Sequence, residues 1–187
     1  MDKRAAKTRN ALVEAMVELV REKGFDALKL GEILAAAGVG RSTFYGHYEG
    51  KDAFLVTSFV DMIARIEKAE VEHFGMDAVA LLPAASLLHH VADYRDFAVK
   101  LAQSAAFDAT MAAGEEKLRA VALQRLSRKC PSMSAEARGR TAVFVASAFI
   151  GIVRWWIKRG VDGDWRELET QFTRMVDAGL AAMNSQV

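Results

Sequence analysis

Between Ala36 and Phe54 the chain reads AAGVGRSTFYGHYEGKDAF, and its second half crowds polar and aromatic side chains together. Arg41, Ser42, Thr43, Tyr45 and His47, with Lys51 close behind, follow no core-facing period that would absorb them. Their chemistry suits an anionic polymer. A guanidinium or ammonium pairs with phosphate, while hydroxyls and an imidazole reach phosphate oxygens or base edges. A short helix carrying such groups fits the major groove of duplex DNA.

Other chemistry is weaker. His89 and Asp93 are four apart and share a helix face with His90 beside them, a spacing that could hold a metal. One carboxylate and no third ligand of defined spacing leave a metal-dependent helical enzyme a remote alternative. Cys130 is the single cysteine and has neither a base nor a partner. AAGVG lacks the lysine and hydroxyl of a phosphate-binding loop. The expectation is no enzyme, no cofactor and no metal.

The elements that must position the polar cluster are helices. From Thr8 to Lys23, Leu12, Met16, Leu19 and Val20 recur at helical spacing, and Gly24 stops the run. LGEILAAA forms a second helix ending at Gly38, and a third starts near Gly40 or Arg41 and runs through STFYGHY. Two helices joined by a tight glycine turn, the second short and polar, describe a helix-turn-helix. Gly38 allows the positive φ of the turn, Val39 tucks between the helices, and Phe44 anchors the second of them. Further helices are expected from about Lys51 to Phe74, after Pro83, from about Tyr94 to Ser104, and from about Phe107 to Lys129. Ser134 caps one that runs to Arg159, and Asp164 with Glu167 has the form of a capping box for the last. The fold class is therefore all-α, with about nine helices. Residues 1–50 form the three-helix DNA-binding domain, and residues 51–187 form a helical ligand-binding and dimerisation domain.

EKGFDALKLGEILAAAGVGRSTFYGHYEGKDAFL resembles the N-terminal signature of the TetR family of bacterial transcriptional regulators. The match is distributed over Gly24, Phe25, Ile33, Ala37-Gly38-Val39, Thr43-Phe44-Tyr45, Tyr48 and Lys51. The resemblance implies that Arg41 and Ser42 meet base edges, Thr43 and Lys51 phosphates, and Tyr45 and His47 the backbone or nearby bases. Gly40 and Lys29 join them at the interface. Two positions depart from the family pattern. Leu34 stands where an alanine lets the two helices approach closely, and is expected to shift their crossing; Lys29 replaces a threonine, a point charge for a hydroxyl. The basic start, with Lys3, Arg4, Lys7 and Arg9 against Asp2, offers an arm for the DNA backbone or minor groove, or a solvated tail.

One helix-turn-helix reads few base pairs, so such modules pair over two half-sites. From Val143 to Ile157 the chain is apolar almost all round, and Gly139, Val143, Ser147 and Gly151 form a stripe of small residues. Val143, Ser147 and Gly151, with Phe172 and Met175 of the last helix, are the candidate homodimer interface, and the resemblance implies a four-helix bundle there. Residues 54–130 are rich in Phe and Met with a few polar groups, among them His73, His90 and Gln103. Phe59, Met62, His89, Phe97, Phe107, Met111 and Trp155 are the candidate lining of a pocket for a small, mostly apolar effector. The reading is a homodimeric repressor released by that effector from a palindromic double-stranded DNA operator. The alternative is a helical DNA-binding protein controlled by a protein partner.

Composition sets the frame. The formal net charge is only +1, so affinity for nucleic acid must rest on local placement. Glu14 and Glu18 interrupt any signal-type apolar run, and Arg154 interrupts the longest apolar stretch. A soluble cytoplasmic protein with no membrane partner is expected.

Overall fold

The computed structural model describes residues 3–184. Those residues form nine helices and no strand: α1 (Lys3–Lys23), α2 (Leu30–Ala37), α3 (Arg41–Tyr45), α4 (Lys51–Phe74), α5 (Ala84–Asp93), α6 (Arg95–Leu101), α7 (Ala106–Lys129), α8 (Ala135–Lys158) and α9 (Trp165–Asn184). The all-α class is as the sequence implies.

Local signals place most of the ends. Gly24 adopts φ +80 and its N–H bonds the Val20 carbonyl at 2.8 Å, closing α1. Ser134 accepts from the Ala137 N–H at 3.2 Å, as a cap for α8 should. Asp164 caps α9 in another way than the expected box: its carboxylate accepts from the Arg166 N–H at 3.0 Å, and the Glu167 N–H bonds its backbone carbonyl at 3.1 Å. Other ends differ. α1 begins at Lys3 rather than Thr8, so its basic stretch is helical instead of a tail. α3 stops at Tyr45, and His47 and Tyr48 lie in the turn beyond it. Pro83 precedes α5 instead of opening it.

α1 packs on α2 and on α6, α4 on α7, α7 on α8, and α5 on α9. The head helices α1–α3 share one continuous core with the rest of the chain, running from Leu12, Phe25 and Phe44 through Phe54 to Phe149 and Phe172. They bury too little area to stand alone, and α4 supplies the missing wall. α8 has the length and apolarity to cross a membrane, alone among the described residues, but half of its apolar window is buried against its neighbours.

A charged cluster lies where α4, α5 and α7 meet. Arg125 of α7 is 1% exposed, and its Nη1 donates to the Ala80 carbonyl at 2.5 Å. Glu67 and Glu70 of α4 stand 3.9 and 4.0 Å from its nitrogens, and Glu70 also accepts from Ser86 of α5 at 2.6 Å. Burial pulls the Arg125 pKa down, against the two carboxylates that raise it. Removing the cation would strand two half-buried carboxylates on α4. Arg125→Ala is expected to lower the unfolding free energy by about 3–5 kcal/mol, read as a shift of the urea midpoint; an unchanged midpoint would show that the cluster holds nothing.

Candidate nucleic-acid interface and cavity

The turn between α2 and α3 is built by backbone geometry. Gly38 sits at φ +63, its N–H bonds the Ala35 carbonyl at 3.3 Å, and the Val39 N–H bonds that of Leu34 at 3.0 Å. This crossed pair satisfies two orphan carbonyls and reverses the chain. Leu34, expected to disturb the crossing, is accommodated in the core beside Ile33 at 4% exposure. Phe44 anchors α3 at 1% exposure, with its ring 5.2 Å from Tyr48 and 5.7 Å from Phe54. One face of the five-residue helix is thereby spent on the core, and the other is left to solvent.

On that free side lie Gly40, Arg41, Ser42, Thr43, Tyr45 and His47, all exposed. Tyr45 is 53% exposed despite an edge contact of its ring with Phe44 at 5.7 Å. Arg41 lies along α2, where a Cβ on Gly31 would stand 3.5 Å from its Nη2; a glycine there leaves the guanidinium room. Lys29 is exposed at the N-terminal end of α2, and its backbone N–H is capped by Glu32 at 2.9 Å. Glu32 is held below the usual carboxylate pKa, first by Lys23 and then by that N–H.

Two expectations need correction. Lys51 does not offer its ammonium to a phosphate: Nζ donates to the carbonyls of Phe25 and Leu28 at 2.7 Å and of Asp26 at 3.3 Å, over the Phe25 ring. Its three protons are taken, and it clamps the α1–α2 loop to the start of α4. Arg9 likewise leaves the basic arm, pairing with Asp61 of α4 at 2.7 Å. Lys7 remains exposed, while the side chains of Lys3 and Arg4 lie outside the described residues.

Behind the head is a cavity of about 300 Å³. Phe59, Met62, Phe97, Phe107 and Met111 line it, and the structure brings these five together. His89 and Trp155 do not. His89 points outward, 3.5 Å from Asp93 and with its ring 5.2 Å from that of Trp165. Trp155 is 54% exposed on the far side of α8, its ring beneath the Arg159 guanidinium. The neighbouring His90 lines the cavity instead, and burial holds its pKa below the ordinary value more than Asp93 raises it, which favours the neutral imidazole. Ser58 and a wall of α1, comprising Val13, Met16 and Val17, escaped the sequence reading. No local signal marks them, because a period places a residue on a helix face and does not say what that face meets. Gly114 of α7 lets the Phe59 ring lie against its backbone, where a Cβ would come within 2.4 Å of the ring.

The outward faces of α8 and α9 are apolar. Phe144 and Met175 are each 67% exposed, with Val143, Trp155 and Met183 beside them in the exposed class. A Cβ on Gly139, Gly151 or Gly179 would meet nothing within 4 Å. Of the expected interface residues, Val143, Gly151 and Met175 lie open. Ser147 is turned to α7, donating to Glu115 at 2.5 Å, and Phe172 is buried against Phe149 at 5.2 Å between ring centres. Among the described residues no three His, Cys, Asp or Glu side chains gather as a metal site.

A helix-turn-helix head on a helical body with its own cavity defines a DNA-binding transcription regulator. Residues 12–56 match the family of bacterial regulatory proteins, tetR family. That segment holds the helix-turn-helix of the head and carries the likeness to the family. Solved structures share the fold of the chain: a TetR transcriptional regulator from Streptococcus agalactiae 2603V (22% identity, 94% of this chain and 96% of that one, TM-score 0.58). The repressor AlkX from Dietzia sp. strain DQ12-45-1b, implicated in biodegradation of n-alkanes, is similar (18%, 92% and 97%, 0.63). So is FadR from Thermus thermophilus in complex with lauroyl-CoA (19%, 90% and 92%, 0.62). No curated protein matches the chain.

The clamp and a phosphate contact at Lys51 predict different outcomes. Lys51→Met is expected to lose about 2 kcal/mol of stability and to leave the salt dependence of DNA binding unchanged. A phosphate contact would instead lower the slope of log K against log salt by about one.

Proposed function

We propose that the chain is a homodimeric cytoplasmic repressor that holds a near-palindromic DNA operator and lets go when a small, largely apolar molecule fills the cavity. In this reading residues 1–50 meet DNA, and residues 51–187 dimerise and bind the effector. The observation that carries it is the arrangement at α3: Arg41, Ser42, Thr43 and Tyr45 stand exposed on a short helix that Phe44 fixes from behind, and His47 stands exposed in the turn after it. In this reading Arg41 and Ser42 meet base edges, Thr43 a phosphate, and Tyr45 and His47 the backbone or nearby bases, with Gly40 and Lys29 beside them at the interface.

Two further observations support the rest. The apolar outward faces of α8 and α9 favour a second copy of this chain as the covering partner, since a two-fold axis sets each face against its equivalent. Pairing also presents two α3 helices to two half-sites. The mostly apolar cavity favours a small effector over a protein partner as the controlling signal, in keeping with the lauroyl-CoA held by the similar regulator from Thermus thermophilus.

Arg41→Ala combined with Tyr45→Ala is expected to abolish binding to the inverted repeat upstream of the gene, in a gel shift at fixed salt, without loss of helical content. Unaltered affinity would refute the assignment of α3. The interface is tested apart from DNA. Wild-type chain sediments as a dimer at micromolar concentration, and Phe144→Glu with Met175→Glu shifts it to monomer; a wild-type monomer would refute the dimer.

A further inference from the structure

The cavity has a property that its apolar lining does not explain. Ser58 of α4 is 8% exposed, lines the cavity, and its hydroxyl has no hydrogen-bond partner among the described residues. A buried hydroxyl left unpaired costs free energy, and a ligand group that pairs with it recovers that cost. Around it the buried wall is uncharged, made by residues such as Leu55, Phe107, Met111, Val153 and Ile157. The charged lining residues Glu14, Glu18 and Arg65 are all exposed and therefore stand at the rim.

Size bounds the occupant. A 150 Å³ apolar cavity holds benzene, so 300 Å³ admits roughly a dozen heavy atoms. Charge bounds it as well: a carboxylate or ammonium pushed to the depth of Ser58 would lose its water with no opposite charge to meet it. Phe and Met side chains offer edge and sulfur contacts that suit flat rings.

Position supplies the last element. Val13, Met16 and Val17 belong to α1, and α1 packs on α2 of the helix-turn-helix. An occupant therefore touches the head directly, not only through α4.

We propose that the cavity binds a compact, uncharged, largely apolar ring compound carrying one hydrogen-bonding group, which pairs with Ser58 while its ring bears on α1. The proposal deepens the effector reading above by naming the ligand class and the helix on which it acts.

Equilibrium dialysis of the purified full-length chain with naphthalene, 1-naphthol and 1-naphthoate tests it without DNA, so a failed operator assay leaves the result standing. Wild type is expected to bind 1-naphthol about five-fold more tightly than naphthalene and at least about ten-fold more tightly than 1-naphthoate. Ser58→Ala, which removes an unpaired buried hydroxyl and so preserves the fold, brings 1-naphthol down to the naphthalene value and leaves naphthalene unchanged. Val13→Phe, which fills the cavity from α1, weakens naphthalene and 1-naphthol alike by about ten-fold or more, as a lost ring site would; Val13→Leu gives a smaller loss in the same direction if the larger residue disturbs folding. Preference for 1-naphthoate, absence of binding up to the solubility limit, or indifference of 1-naphthol to Ser58→Ala would overturn the ligand class. Indifference of both probes to the Val13 variants would overturn the contact with α1.

Discussion

The head depends on being fastened to α4, and the Lys51 ammonium shows how. Three short helices enclose too little apolar area to hold an orientation by themselves, so their placement relative to the body must come from contacts across the α3–α4 turn. Lys51 provides one by sitting on the carbonyls of Phe25, Asp26 and Leu28. Phe54, three residues on, provides another through its ring contacts with Phe44 and Tyr48. Arg9 and Asp61 tie α1 to α4 about two turns further along. The head is thus held to α4 at Lys51, Phe54 and Asp61, and α1 also packs on α6.

The cavity lies beside that fastening. Its walls come from α1 and α4 on the head side and from α5 to α8 on the body side, so it lies across the joint between the reading element and the remainder. The body side is stiffened by the buried Arg125 cluster, which holds α4, α7 and the segment before α5 together. The α1–α4 side of the cavity is the side that adjoins the head. Arg21 of α1 and Asp96 of α6 face each other across the same joint at 3.4 Å, exposed and therefore weak.

Much of the architecture could be read from residues in order. Glycine at Gly24 and Gly38, the cap at Ser134 and the stripes of α1, α4 and α9 act over a few residues, so helix ends and helix faces follow from local sequence. The polar run after Gly40 was legible for the same reason: Phe44 is the only large apolar residue in Arg41–Thr43 and Phe44, and it must turn inward. The cavity was legible only in part. Phe59, Met62, Phe97, Phe107 and Met111 were found as a class of side chain, whereas His89 and Trp155 belong to other surfaces.

The reason lies in what a period can specify. Sequence by itself determined which residues share a face of one helix, because that is set by 3.6 residues per turn. Only the tertiary structure decided what each face meets. His89 and His90 are neighbours about 100° apart around α5, and the packing of α9 on α5 sends the first to Trp165 and the second to the cavity. Lys51 looked like a phosphate ligand because its charge and position said so; three carbonyls from a loop twenty-odd residues upstream, a contact of tertiary origin, took its protons first.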